Sequence, residues 1–139
     1  MAIDKSRLLE HLQEEVYCRL GVSKVHGIGV FAIRSIPKGV KPLVSLLKIK
    51  EFDFSKKDIK KIPASVRKEV EVFCYYDSKK YLIPSIGLNS MNMAFYMNHS
   101  KEPNVRYLKN GDIVALKRIK TDEELFFDYD EAFGEKHTF

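Results

Sequence analysis

Two cysteines, Cys18 and Cys74, are all the sequence offers toward a disulfide framework or a metal cluster. They stand far apart, with no Cys-x-x-Cys and no Cys/His ligand spacing around either, so a structural zinc site has no raw material and no metal is expected. Both are expected to be reduced core residues. No apolar run approaches the roughly 20 residues that span a bilayer, and the stretch from Met1 to Glu10 has no apolar h-region, so neither a membrane span nor a secretory signal is expected. The expectation is a soluble intracellular protein, cytoplasmic or nuclear according to its source organism. Internal repeats, linkers and low-complexity tracts are also missing. With 139 residues, the chain is long enough for one real core but too short for separate cofactor and substrate domains.

What is present is an ordinary globular composition: 45% hydrophobic, 31% charged, with 9 Phe and 7 Tyr, which argues against disorder. A net charge of +5 favours an acidic partner or nucleic acid. Much of that charge lies between Lys48 and Lys61, and a solvated helical face is the expected reading of that stretch, ahead of a nucleic-acid footprint.

Leu8, Leu9 and Leu12 recur at helical spacing within Asp4 to Gln13, with Asp4 or Ser6 as N-cap, which predicts a short amphipathic helix. Val16–Leu20, Gly29–Ile33 and Leu43–Ile49 are rich in branched and aromatic residues and are separated by turn signals at His26-Gly27, Pro37-Lys38-Gly39 and Pro42, so they predict strands. Ser55 and Asp58 form a loose capping box, and beyond Pro63 the positions Val66, Val70 and Phe73 predict a second helix. Tyr81–Pro84 predicts a brief strand, Val105–Leu108 and Ile113–Leu116 flank the hairpin signal Asn110-Gly111, and Leu125–Phe127 predicts a last strand. The fold class expected is mainly β with short helices, an α+β domain.

Three clusters stand out: Lys24-Val25-His26-Gly27-Ile28-Gly29-Val30-Phe31, Tyr96-Met97-Asn98-His99-Ser100-Lys101-Glu102-Pro103-Asn104, and Glu123-Glu124-Leu125-Phe126-Phe127-Asp128-Tyr129. Taken singly, each has a plainer explanation: a tight backbone bend, a polar loop, a solvated acidic strand edge. Taken in order, they resemble the SET-domain family of protein-lysine methyltransferases over about residues 15 to 131. The stretch Ser23 to Ala32 looks like the family's opening strand and cofactor turn, Asn98-His99-Ser100 with Pro103-Asn104 matches its Asn-His-Ser-x-x-Pro-Asn signature, and Glu123 to Tyr129 matches its C-terminal signature.

The resemblance implies a β-clip-like fold of small curled sheets, in which the C-terminal segment threads beneath the loop after Asn-His-Ser as a pseudoknot. It further implies a helical extension over 1–14, a SET domain over 15–131 with a helical insert at about 52–77, and a short tail over 132–139. The implied activity is methyl transfer from S-adenosylmethionine to the ε-amine of a protein lysine, leaving S-adenosylhomocysteine. His26, Gly27, Ile28 and Gly29 would present backbone to the cofactor, Asn98 would bind it by its amide, and His99 would reach the adenine by its backbone rather than serve as a base. Tyr129 would be the catalytic tyrosine and would also touch the cofactor, while Tyr96, Tyr107 and Phe127 would wall the lysine channel. Plain core packing is the competing reading for Tyr96 and cross-strand packing for Tyr107.

Such a displacement at carbon needs no metal; it rests on positioning and on an environment that favours the neutral amine of a lysine whose free pKa is about 10.4. Phenylalanine at position 127 suggests higher methylation, and a Tyr107 hydroxyl reaching the same space would oppose it. Three departures from the family pattern stand in the sequence: Phe95 replaces an arginine, Asp122 replaces a glycine, and Val40–Ile49 lacks a Tyr-x-Gly element. A cysteine-rich segment after Tyr129 is also absent, so Phe133 and Phe139 fold back over the channel or a second copy of the chain covers it; a homodimer is the expectation. The substrate is a lysine-bearing protein, with a histone as one candidate. The competing functions are a catalytically silent peptide-binding module and, last, a basic nucleic-acid-binding domain.

Overall fold

The computed structural model describes residues 3–133, which form α1 (Lys5–Glu14), β1 (Cys18–Val22), β2 (Ile28–Ala32), β3 (Glu51–Ser55), α2 (Lys56–Ile59), α3 (Ala64–Phe73), β4 (Lys80–Pro84), β5 (Asn98–His99), β6 (Val105–Tyr107), β7 (Ile113–Ala115), β8 (Glu124–Phe127) and α4 (Tyr129–Phe133). A 3-10 turn at Met93–Tyr96 precedes β5. The chain divides into two compact units, Met1–Leu46 with Tyr96–Phe139, and Leu47–Phe95. The tail from 134 onward, Phe139 included, lies outside the described residues, as does the side chain of Phe133.

In the first unit the predicted N-terminal helix is present and capped by Asp4, whose carboxylate accepts the Arg7 N–H at 2.8 Å. Its leucines follow the helical period, yet Leu8, Leu9 and Leu12 are all exposed. Beyond it lies a four-stranded sheet in the order β1-β2-β8-β5. β1 and β2 form an antiparallel hairpin from Cys18↔Ala32 to Val22↔Ile28, and β8 adds antiparallel to β2 with Val30↔Leu125. β5 then joins parallel to β8, Asn98 opposite Phe126 and His99 opposite Phe127. The buried side of β8, Leu125 and Phe127, meets Val30, Ala32, Met97 and Val105 in the apolar interior. A second seal is the bridge between Ile36 and Ile119, both fully buried and exchanging two backbone hydrogen bonds at 2.8 and 2.9 Å.

The hairpin signalled by Asn110-Gly111 is β6–β7. Its ladder ends at Leu108, whose N–H reaches the Asp112 carbonyl at 2.7 Å, and Gly111 takes the left-handed conformation (φ 89°) that closes a three-residue loop.

The second unit has its own small core of Ile59, Val70 and Tyr81, packed by Phe54, Ile62, Cys74, Ile83 and Leu88. Ser55 and Asp58 make a complete reciprocal capping box at α2, and Pro63 stands at the N-cap of α3. One sequence expectation fails: no strand runs across Leu43–Ile49, and the strand here is Glu51–Ser55, paired with β4 from Glu51↔Pro84 to Ser55↔Lys80. A branched apolar run favours a strand only where a partner meets its backbone groups, and the partner's register selects 51–55.

Candidate functional site

Among the described residues the buried polar side chains are Asn98 and Asn104, both from the Asn-His-Ser segment, at 7% and 6% exposure. The Asn98 Nδ2 donates to the His26 carbonyl at 3.0 Å, the Ile28 carbonyl at 3.4 Å and Glu124 Oε2 at 2.8 Å. Three acceptors around one nitrogen fix the orientation of the amide. Its Oδ1 accepts no hydrogen bond among the described residues.

Glu124 is the hub on the other side. Its carboxylate accepts the Ser23 hydroxyl proton at 2.8 and 3.0 Å, and the Ser23 Oγ in turn accepts the N–H groups of Val25 and His26 at 3.0 and 3.2 Å. Closing the same turn, the Ser23 N–H donates to the Gly27 carbonyl at 2.8 Å. The turn's shape is therefore held from one carboxylate on β8. Gly27 sits at φ 47°, where a side chain is disfavoured, and no heavy atom lies within 4 Å of where its Cβ would stand. Gly29 is different: a Cβ there would fall 2.8 Å from Glu124 Cδ and closer still to Oε2. The second glycine makes room for the carboxylate.

Asn104 laces β8 to the Asn-His-Ser segment. Its amide donates to the Glu124 carbonyl at 2.8 Å and accepts the Phe126 N–H at 2.8 Å, imitating a peptide group in a ladder. Backbone bonds from Ser100 and Asn104 to the carbonyls of Phe127 and Phe126, each 3.1 Å, complete the interlock expected of the pseudoknot.

Tyr129 opens α4 just past β8. Its hydroxyl donates to the Met97 carbonyl at 2.7 Å, its N–H donates to His99 Nδ1 at 3.0 Å, and burial pushes its phenol pKa up. The His99 ring thus accepts a backbone N–H at Nδ1. Around Tyr129 the rings converge: Phe127 at 4.5 Å, His99 at 5.1 Å, and Tyr107 edge-on to Phe127 at 5.0 Å between centroids. Tyr96 ends the 3-10 turn directly before Met97 and is half-buried. Next to these rings is a cleft of about 310 Å³ lined by Tyr107, Leu108, Phe127, Asp128 and Glu131 among others.

His99, Asp128 and Asp130 also bring ligand-type atoms within 4.8 Å of one another. The cation in this cluster is Lys101, bonded to Asp130 and 3.4 Å from Asp128. Burial pushes the Asp128 carboxyl up, but the N–H groups of Glu131 and Asp130 together with Lys101 outweigh it and hold it below the usual range.

All the candidate cofactor, catalytic and channel residues named from the sequence fall in the first unit. Asn98 meets the turn through its amide, while the His26 ring and the Ile28 side chain are exposed and take part through their carbonyls. Sequence reasoning missed Glu124, Ser23 and Asn104 as the residues that hold these pieces together; only strand register discloses the first, because Glu124 is diagonal to Gly29 across β2–β8.

A family model for the SET domain matches residues 27–130. The chain belongs to the SET-domain family. Solved structures with the same fold include two SET-domain proteins. One is a Plasmodium falciparum protein described as a candidate histone methyltransferase, 18% identical, TM-score 0.50, covering 87% of this chain and 99% of that one. The other is an inhibitor-bound, humanized mutant of the Chaetomium thermophilum Polycomb Repressive Complex 2, 22% identical, TM-score 0.52, covering 87% of this chain. This SET domain corresponds to only 16% of that second chain. No curated protein matches the sequence. No helix among the described residues is long and apolar enough to cross a membrane.

Proposed function

We propose that this SET domain transfers a methyl group from S-adenosylmethionine to the ε-amine of a lysine in a protein substrate. The observation that carries the reading is the convergence, within one unit of a SET fold, of the open Gly27 turn, the buried Asn98 amide and the Tyr129 hydroxyl. The residues present fit the cofactor: the turn at Gly27 leaves its backbone open on one side, and the Asn98 Oδ1 is an acceptor that no described residue uses. The backbone of His26 to Gly29 and the Asn98 amide would hold the cofactor's amino-acid end, and the His99 backbone its adenine. When bound, S-adenosylmethionine supplies an electrophilic methyl group on a positive sulfonium.

Tyr129 acts as a neutral group of fixed orientation. Because burial raises its pKa, the phenol keeps its proton at neutral pH, and the Met97 carbonyl fixes the hydroxyl direction; it aligns the amine rather than deprotonating it. The faces of Tyr107 and Phe127 cover the lysine's methylene stem and, by excluding water, favour the uncharged amine. A histone is the first substrate class to try, since both structural neighbours are chromatin-related by name or assembly, and a second copy of the chain is the proposed cover for the C-terminal side.

Calorimetric titration of the protein with S-adenosylmethionine, beside Asn98→Ala, tests the reading before any substrate is known. Saturable binding that the variant loses supports it. A folded wild type that binds nothing up to millimolar cofactor, with or without a lysine-bearing peptide, removes it and leaves a silent peptide-binding module.

A further inference from the structure

The unit Leu47–Phe95 holds ten Lys and Arg against six Asp and Glu, four of the chain's net five positive charges. Within it, the lysines are not spread evenly. Lys56, Lys57, Lys60 and Lys61 sit on α2 and the turn that continues it, where the Lys60 and Lys61 N–H groups still bond back to Lys56 and Asp58. At 100° per residue these four occupy a sector of about 140°, and Ile59 lies outside it. Ile59 is 2% exposed in the unit's core, so the lysine sector points outward. The pairs Lys56/Lys60 and Lys57/Lys61 stand one turn apart, about 5–6 Å between Cβ atoms. Register adds two more: Lys80 pairs with Ser55, which puts Lys79 and Lys80 at the end of the β3–β4 ladder where α2 begins.

The nearby acids, Asp53, Asp58 and Asp77, offset only part of this charge, three carboxylates against six lysines. Asp58 is committed to the capping box with Ser55, and Asp77 to the N–H groups of Lys79 and Lys80. Lys80 has Asp53 at 3.9 Å, and Lys61 and Lys57 help to hold the Asp58 carboxyl below its usual range, after its bonds to Ser55. Among the described residues Lys56, Lys57, Lys60, Lys61 and Lys79 make no ion pair.

We propose that this lysine end of the second unit is a docking surface for the phosphate backbone of a nucleic-acid duplex. Ammonium groups on flexible stems are point charges with no fork geometry to match a planar carboxylate or read a base edge, so they suit contacts that are dense and independent of sequence. A duplex offers one negative charge per about 1.7 Å of axis. An extended acidic peptide presents same-face charges only about every 6.6 Å, a sparser match for six lysines gathered at one end. The proposal goes beyond the solvated face expected from the sequence, and it rests on six lysines gathered at one end of the unit against three carboxylates there. The duplex is an anchor, not the methyl acceptor, and the proposal does not depend on methyl transfer.

The test is fluorescence anisotropy of the full chain with a mixed-sequence labelled duplex between 50 and 200 mM salt. Neutralising about six phosphates predicts a log–log salt slope near −5, a fall in affinity of about 10³-fold over that range. Lys56→Gln/Lys57→Gln/Lys60→Gln/Lys61→Gln leaves two lysines, a slope near −2 and a fall of about tenfold. A control removing the same charge elsewhere, Lys5→Gln/Lys38→Gln/Lys117→Gln/Lys120→Gln, keeps the wild-type slope. Should the patch variant lose its fold by circular dichroism, the pairs Lys56→Gln/Lys60→Gln and Lys57→Gln/Lys61→Gln each lower the slope by about 2. No binding at 50 mM salt, equal slopes in patch and control variants, or displacement of the duplex by polyglutamate at matched charge overturns the proposal.

Discussion

Gly29 and Glu124 make a sharp prediction because each explains the other. In Gly29→Ala the new methyl carbon would lie 2.8 Å from Glu124 Cδ and 3.2 Å from Ser23 Cβ, so the carboxylate must leave its seat. It then gives up the Ser23 hydroxyl and the Asn98 amide, both at 2.8 Å. Hydrogen bonds to a charged group contribute about 1.5–3 kcal/mol each, and replacing a strand glycine returns about 0.5–1 kcal/mol. The net expectation is a loss of about 2–5 kcal/mol in urea unfolding, with weaker cofactor binding because the 23–27 turn loses its anchor. In a Glu124→Ala background the same glycine substitution meets no carboxylate and returns about 0.5–1 kcal/mol. The double-mutant coupling is therefore that of the two lost hydrogen bonds, about 3–6 kcal/mol. A coupling below about 0.5 kcal/mol would refute the idea that the glycine exists to seat the carboxylate.

Tyr129→Phe removes the hydrogen bond to the Met97 carbonyl; stability falls by about 1 kcal/mol, cofactor affinity stays within a few-fold, and turnover drops on the order of 10²-fold, so unchanged turnover would remove Tyr129 from the mechanism. Asn104→Ala leaves the Glu124 carbonyl and the Phe126 N–H without their partner, at about 1–3 kcal/mol for each orphaned group, and a thermal-unfolding loss under about 1 kcal/mol would contradict that role. Burial pushes the Cys18 thiol to about 12 and the Cys74 thiol, with help from Glu51, to about 11. Because a raised thiol pKa means less thiolate in the folded state, iodoacetamide at pH 8 should label both cysteines at least about 100-fold more slowly in native than in urea-unfolded protein; equal labelling by mass spectrometry would refute this.

Much of the local structure was legible because its causes are local. The Asp4 cap, the Ser55/Asp58 box and the Asn110-Gly111 loop each depend on residues within a few positions, and each is where the sequence puts it. The strand expected at Leu43–Ile49 failed for the opposite reason. Its composition suits a sheet, but the choice between it and Glu51–Ser55 is made by Lys80–Pro84, about thirty residues on. The candidate site divides the same way. Asn98, His99 and Tyr129 could be picked out only through the motif resemblance, since no periodicity links residue 98 to the carbonyls of His26 and Ile28. Glu124 looked like a solvated acid because its partner Ser23 lies 101 residues away.

That long-range dependence shapes how the site can fail. β8 lies between β2 and β5, so the strand carrying Glu124 and leading to Tyr129 completes the sheet only after distant segments have met. Loop-closure entropy grows as the logarithm of length, so bridging about 95 residues to β2 rather than about 28 to β5 costs only about 1 kcal/mol more. The distance therefore weighs little on stability and more on folding rate. Its larger consequence is that Glu124 on β8, held by Asn98 and Asn104, also anchors the turn through Ser23, while Tyr129 follows directly on β8 and bonds to His99. A substitution that loosens β8 thus dismantles fold and site together, and lost activity in such a variant says nothing about chemistry. Tyr129→Phe is the informative contrast, because it removes one oxygen from the ring and leaves the strand, the Asn104 lacing and the His99 contact to the Tyr129 backbone intact.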